Sequence, residues 1–512
     1  MSNVVEKSPV LPRIEVSTHG LFIDGRDTPA AGGTLEVLNP SNGEVIARIA
    51  HASDEDVDRA VKSARRAFES KEWGGLTERA RARLVNKLAD AFEANLEELY
   101  QLETLNNGRP VNETRAQVSR LPDFFRYNAG LALARRDAVI PVQGTYLNYT
   151  LRTPLGVVGN STPFNHPLMI MCKSLGPVFG SGCTTVVKPS EYTPLTTLRL
   201  AAIFAEAGLP PGVFNVVTGL GPTTGKALAA HRGLDKFVLT GGTEAGRIVG
   251  ALAGERFAHQ TLELGGKTPV LVFDDFDVDQ AVNYAAFGAF VGAGQTCICA
   301  SRHIVHERVY DEFVDKLARK AKTILIGDPS DPSVQLGPVI SARQRQRVLD
   351  YVDIGVKEGA RLVSGGRVPA DPALARGFFV EPTVFADVKP AMRIFQEEVF
   401  GPFTSVTPFK DEAEAIALAN NSPYGLAGAV RTMNIVRAHR VAAKLRCGIV
   451  WVNDHHRLDP ASPWGGVGES GIGRECGTES FDAHFQTKSV MVKVDDQPFD
   501  WYQNTAGQPR LN

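Results

Sequence analysis

The sequence predicts an α/β fold built around a parallel sheet of the dinucleotide-binding type. Three observations carry this. Short apolar runs recur at 156–158, 185–187, 214–217 and 237–239. Stretches of helical spacing at 195–207 and 223–230 fill the gaps between them. A glycine-rich turn, Gly241-Gly242-Thr243-Glu244-Ala245-Gly246, follows the last run and opens another helix. Short apolar strands separated by helices belong to a parallel sheet covered on both faces, and such a turn offers backbone N–H groups to a pyrophosphate.

The remaining elements follow in chain order. The first twenty residues read as a loose arm. A helix is predicted from Ser53, where Ser53-Asp54-Glu55-Asp56 forms a capping box and Val57, Ala60, Val61, Ala64 and Phe68 keep helical spacing. One longer helix is predicted from Thr77, with Leu84, Leu88, Phe92, Leu96 and Leu99 on one stripe, ended by Asn107-Gly108-Arg109-Pro110. A second alternating set of strands and helices runs from 269–273 to 448–452. The segments 145–152 and 485–494 read as extended chain outside both sets, either pairing between subunits or forming edge strands of their own domain.

At 512 residues the chain is too long for one core, so two or three domains are expected. Lys+Arg 55 against Asp+Glu 57 leaves a net charge of -2, which gives no electrostatic footprint for nucleic acid or an anionic membrane. The six cysteines include no Cys-x-x-Cys pair, so neither a disulfide framework nor a zinc site is expected. Reduced thiols, no signal-peptide pattern at the start and no apolar run of membrane-spanning length lead to the expectation of a cytoplasmic protein.

The chemistry is concentrated in two places. Cys297 lies among small residues in Gly294-Gln295-Thr296-Cys297-Ile298-Cys299, and Glu263 lies in Leu262-Glu263-Leu264-Gly265-Gly266-Lys267. A thiol attacks a carbonyl, and a carboxylate can then activate the water that releases the acyl group, so the pair points to covalent catalysis through a thioester.

Together these stretches resemble the NAD(P)-dependent aldehyde dehydrogenase superfamily from about residue 21 to residue 494, with its motifs in order and at the family's separations. The resemblance implies an α/β fold with a Rossmann-type cofactor domain, an α/β catalytic domain and a small β oligomerisation segment. These fall here at 1–138 with 155–266, at 267–465, and at 139–154 with 482–496. It implies oxidation of a small-molecule aldehyde to a carboxylic acid by a homodimer or homotetramer, with NAD as cofactor. Cys297 matches the nucleophile that forms a thiohemiacetal and then a thioester. Asn165, in Pro163-Phe164-Asn165-His166-Pro167, matches the side-chain donor of the oxyanion hole, and Glu263 the general base. A carboxylate at 263 also separates this chain from acyl-CoA-forming relatives.

On the cofactor side, Lys188 and Glu191 match residues at the adenosine ribose, where a carboxylate disfavours a 2′-phosphate and so favours NAD. Gly241, Gly242 and Gly246 match the pyrophosphate turn, with Gly242 where the family usually has Ser. Glu398 matches the residue holding the nicotinamide ribose, with Phe400 packing beside the ring. Lys173 and Ser174 stand where the family usually has Trp-Lys, which puts the proton relay around the base in doubt; Lys173, shifted by one residue, is expected to point elsewhere on its helix. His166 and Lys173, with His456, Arg457, Leu458 and Trp464 from the loop 453–464, fall at substrate-tunnel positions. They suggest an aldehyde bearing an aromatic ring or a remote carboxylate. Arg457 either grips that carboxylate or pairs with Asp454 or Asp459. Two other readings stay open, an NADP-using semialdehyde dehydrogenase and a catalytically silent binding protein on the same fold.

Overall fold

The computed structural model describes residues 16–496 and 502. Its first large sheet has eight strands in the order Gly471–Ile472, His259–Glu263, Lys236–Thr240, Val157–Ser161, Thr184–Lys188, Phe214–Val216, Leu21–Ile23 and Arg26–Thr28. The five strands from His259–Glu263 to Phe214–Val216 are parallel, and the outer ones are antiparallel. Chain order reverses at Val157–Ser161, whose neighbours are the next strand on one side and a later one on the other. Ligands of open α/β sheets bind at such a switch point, beyond the carboxyl ends of the strands. Asn165, Lys188, Gly241 and Gly265 all follow or end strands at that edge.

The second sheet has seven strands, in the order Arg361–Ser364, Thr383–Ala386, Phe403–Phe409, Arg302–His306, Pro269–Val272, Ala427–Arg431 and Ile449–Val452, parallel except at the first edge. A separate three-stranded antiparallel sheet joins Val139–Ile140, Tyr146–Pro154 and Phe485–Lys493. The two segments expected to be extended therefore pair with each other, across 9 register positions from Phe485↔Pro154 to Lys493↔Tyr146.

Local expectations meet the structure unevenly. The Ser53 capping box forms, with Asp56 N–H donating to Ser53 Oγ at 3.2 Å and Ser53 N–H to Asp56 Oδ2 at 3.0 Å. The single helix expected from Thr77 is instead two, Glu78–Ala94 and Leu96–Asn107. Asn95 breaks it: its side-chain amide donates to the Ala91 carbonyl at 2.8 Å, the bond its backbone would otherwise make, and its φ and ψ leave the helical region. The apolar stripe continues across the break because both helices bury the same side. The second helix ends on Gly108 at φ 84. The expected loose arm begins within residues 1–15, which lie outside the described residues, but Ser17–His19 forms a strand beside Val45–Ala50. The helix expected over 223–230 opens as a wide π turn, Gly221–Gly225, and is α-helical only over Lys226–Ala230.

One small strand matters to the site. Gly471–Ile472 pairs with Leu262–Glu263 and closes the edge of the first sheet. Gly471 sits at φ 125, and a Cβ there would lie 1.8 Å from the Leu262 carbonyl oxygen. Gly471→Ala is therefore expected to force this edge open, costing about 2 kcal/mol or more, and a thermal-unfolding scan should show Tm lowered by several degrees.

Candidate active site

Cys297 is half-buried on the approach to the strand Arg302–His306. The chain reaches it through three left-handed residues, Gly292 (φ 60), Ala293 (φ 54) and Gly294 (φ 66). Gly294 is needed, because a Cβ there would lie 2.0 Å from the Gly401 carbonyl oxygen. This loop is pinned from several sides. Glu113 Oε2 accepts from Gly292 N–H at 3.0 Å, Gln295 Oε1 accepts from Ile340 N–H at 3.0 Å, and His455 Nε2 lies 3.0 Å from the Ile298 carbonyl. Gly266, between the two large sheets, lies so close beneath that a Cβ would be 2.3 Å from the Cys297 carbonyl oxygen.

Burial pushes the Cys297 thiol up to about 12; Lys173 opposes the shift, while Glu263 and Glu398 reinforce it. A thiol raised in this way is protonated at neutral pH and needs a nearby base or cation to act as a nucleophile. Glu263 ends the strand His259–Glu263, is 2% exposed, and neither of its oxygens is hydrogen-bonded. Its carboxyl is raised well above the usual carboxylate range, first by burial and then by the charge of Glu475, with Lys173 and Arg474 opposing. A carboxyl raised in this way suits a general base.

Lys173 does not point away. From the helix Pro167–Ser181 its Nζ reaches to 2.5 Å from Glu475 Oε2, and Ser174 Oγ donates to Glu475 Oε1 at 3.2 Å. Glu475 is brought there by a bridge to Trp464, each N–H donating to the other's carbonyl at 2.7 Å. Burial alone would lower the Lys173 pKa, but Glu475, Cys476 and Glu263 outweigh it and hold the ammonium charged. A lysine stem is long enough to reach this carboxylate although its Cα is one position early.

Asn165 is buried, held from behind by Asn107 Nδ2, which donates to the carbonyls of Phe164 at 2.5 Å and Asn165 at 3.2 Å. Its own amide makes no hydrogen bond: Oδ1 is sealed off, while Nδ2 is not. A donor left open beside a nucleophile loop can meet a developing oxyanion.

The groove at the carboxyl ends of the first sheet fits a dinucleotide. The helix Thr243–Gly254 starts at Gly242 with no side-chain cap, so its first N–H groups are open, and a Cβ at Gly242 would meet nothing within 4 Å. Gly241 continues the strand edge, donating to the Glu263 carbonyl at 2.9 Å. Gly246 lies underneath instead, where a Cβ would be 2.5 Å from Leu264; its smallness serves helix–strand packing. Lys188 Nζ donates to the carbonyls of Pro189 at 2.8 Å and Gly219 at 2.9 Å, and lies 3.6 Å from Glu191, which is partly exposed. Glu398 Oε1 accepts from Gly266 N–H at 2.9 Å, leaving Oε2 open as an acceptor; burial raises this carboxyl to about 7. Phe400, at φ 61, packs edge-on against Phe164 with ring centres 5.7 Å apart.

The family's sequence profile, the aldehyde dehydrogenase family, matches residues 28–490. The chain belongs to the aldehyde dehydrogenase family. Human mitochondrial aldehyde dehydrogenase is 42% identical over 94% of this chain and 93% of its own. The crystal structure of PnpE from Pseudomonas sp. WBC-3 superposes with a TM-score of 0.92 at 44% identity, covering 95% of this chain and 100% of that one. An NAD+ complex of aldehyde dehydrogenase from Bacillus cereus gives 0.91 at 42% identity, covering 93% and 97%. The reaction of this aldehyde dehydrogenase is accordingly the oxidation of an aldehyde.

The residues expected at the substrate tunnel of this aldehyde dehydrogenase are engaged with their own neighbours. The Arg457 side chain is 69% exposed, with Nε 3.1 Å from Asp454 Oδ2. Trp464 is 5% exposed, its ring 5.0 Å from Lys173 Nζ. Leu458 packs on the main core. His456, at φ 59, packs against Phe287 and His455, and burial lowers its imidazole to about 4. Glu475, Asn107 and Glu113 were not singled out from the sequence. Each acts across the fold, and a lone Glu or Asn carries no local signal of that. Lys173 favours the Cys297 thiolate, so Lys173→Met should slow alkylation of the thiol by iodoacetamide severalfold at fixed pH, roughly as loss of a neighbouring cation predicts; an unchanged rate would remove Lys173 from thiol activation.

Proposed function

We propose that this aldehyde dehydrogenase uses NAD to oxidise an aldehyde to the carboxylic acid through a thioester on Cys297. The observation that carries this is the meeting of a half-buried thiol at Cys297, before a strand of the second sheet, with an unbonded buried carboxyl at Glu263 and an open amide at Asn165, both beyond strands of the first. The Cys297 thiol gives up its proton to solvent, with Lys173 favouring the thiolate, and the sulfur attacks the carbonyl carbon while Asn165 Nδ2 and the Cys297 N–H stabilise the oxyanion. Held by the open N–H groups after Gly242 and by Glu398, NAD would supply the acceptor for the hydride that leaves the substrate carbon. Glu263 then takes a proton from water, which attacks the thioester and releases the acid and the thiol. Glu191 beside Lys188 supports NAD over NADP, because a carboxylate repels a 2′-phosphate. The Bacillus cereus relative was likewise crystallised with NAD+.

For the substrate, Trp464 and Leu458 support an aromatic or apolar body. The Asp454 pairing of Arg457 weakens the case for a carboxylate grip on that side. The three-stranded sheet exposes Val139, Leu147, Leu151, Met491 and Val492, which supports a homodimer or homotetramer joined there.

Glu263 is a base only once deprotonated. With its carboxyl raised, kcat should therefore climb with pH on a limb above the usual carboxylate range. Glu263→Gln should abolish that limb and lower kcat by roughly 10²–10⁴, leaving one rapid equivalent of NADH per site in a stopped-flow trace. A trace with no such burst would place the slow step before acylation. In a screen with NAD and NADP, Arg457→Ala should lower kcat/KM equally on carboxylated and uncharged aldehydes. A loss confined to the carboxylated ones would restore the grip.

A further inference from the structure

We infer that His166 receives a hydroxyl group of the substrate, acting as a hydrogen-bond acceptor held in that state by Gln117 and Arg109. This rests on the aldehyde oxidation proposed above and narrows its substrate to an aldehyde carrying an O–H donor away from the carbonyl. Arg109 can only donate. Its Nη1 donates to the side-chain oxygen of Gln117, Oε1, at 2.8 Å, and that contact fixes which end of the Gln117 amide faces inward. His166 Nδ1 lies 3.1 Å from the same oxygen. An amide oxygen only accepts, so Nδ1 carries the proton. In a neutral imidazole Nε2 is then a bare acceptor.

Arg109 is not free to turn away. It is buried, with Nη1 3.5 Å from Glu103 Oε1 and Nε 3.5 Å from Glu113 Oε2. Those carboxylates are themselves tied down, Glu103 Oε2 by Leu168 N–H at 3.2 Å and Glu113 by Gly292 N–H. The ring is kept neutral as well: burial first, then Arg109, His456 and Lys173, lower its pKa well below the ordinary histidine value.

The acceptor opens toward the substrate space. His166 is 7% exposed, yet its Nε2 makes no hydrogen bond and is not sealed off. Its Cε1 lies 3.9 Å from where a Cβ would stand at Gly292, on the approach to the nucleophile. A carboxylate has no proton to give this nitrogen, and an ammonium would lose its water beside Arg109 and Lys173. A hydroxyl satisfies it without a charge.

The test compares kcat/KM with NAD for 3-hydroxybenzaldehyde, 4-hydroxybenzaldehyde and 3-hydroxypropanal against 3-methylbenzaldehyde, 4-methylbenzaldehyde and butanal. The native enzyme should favour at least one hydroxylated aldehyde by roughly tenfold or more, as one added hydrogen bond allows. His166→Phe and Gln117→Leu should each reduce that ratio to about twofold or less, the latter by freeing the tautomer, whereas Gln117→Glu, which still accepts from Nδ1–H, should retain it. No preference in any pair, or a preference that survives His166→Phe, overturns the inference. Turnover of the methylated aldehydes would in that case still uphold the oxidation, and no turnover of any aldehyde overturns both.

Discussion

The near-contact of backbone at Gly265 and Gly266 with the residues around them holds the catalytic arrangement together. A Cβ at Gly265 would lie 2.6 Å from Glu398 Oε2, and one at Gly266 2.3 Å from the Cys297 carbonyl oxygen. This short stretch leaves the first sheet at Glu263 and enters the second at Pro269. Because no side chain intervenes, Glu263, Cys297 and Glu398 all gather around one backbone bend. The two sheets thus meet with the carboxyl ends of one facing the entries to strands of the other, and the reacting groups sit at that seam.

Electrostatics around the seam follow from burial. Four carboxyls there, Glu103, Glu113, Glu263 and Glu398, are raised chiefly by loss of water, and Cys297 is raised for the same reason. Against them stand the buried cations Lys173 and Arg109, each paired with a carboxylate. Low dielectric makes every such pairing consequential, since a charge left alone there is costly. Lys173 opposes the rise of both the thiol and the base, so its pairing with Glu475 sets how much of that opposition is felt. The same logic applies to Arg109, whose donors orient Gln117 and through it His166.

The alternation of short apolar strands with helices was plain in the sequence, as were the glycine turn at 241–246, the Ser53 capping box and the identity of Cys297, Glu263 and Asn165 as chemically apt residues in recognisable surroundings. The break at Asn95 was hidden, because the apolar stripe runs unbroken through it and only the side-chain bond to Ala91 reveals the end of a helix. Arg457 reads either as a carboxylate grip or as a partner of Asp454 or Asp459, because the sequence does not tell which lies within reach; the structure places Asp454 there. Arg109 read only as part of a helix stop, and Lys173 as misplaced by one residue.

Periodicity and local residue chemistry are properties of neighbours along the chain, so the sequence by itself determined the fold class, the alternation of strands with helices and the family. The tertiary structure alone decided which charges stand beside one another: Glu475 with Lys173, 302 positions apart, and His166 with Gln117, 49 apart. Proton positions and pKa values depend on such through-space contacts and on exclusion of water. Neither is written in the spacing of residues.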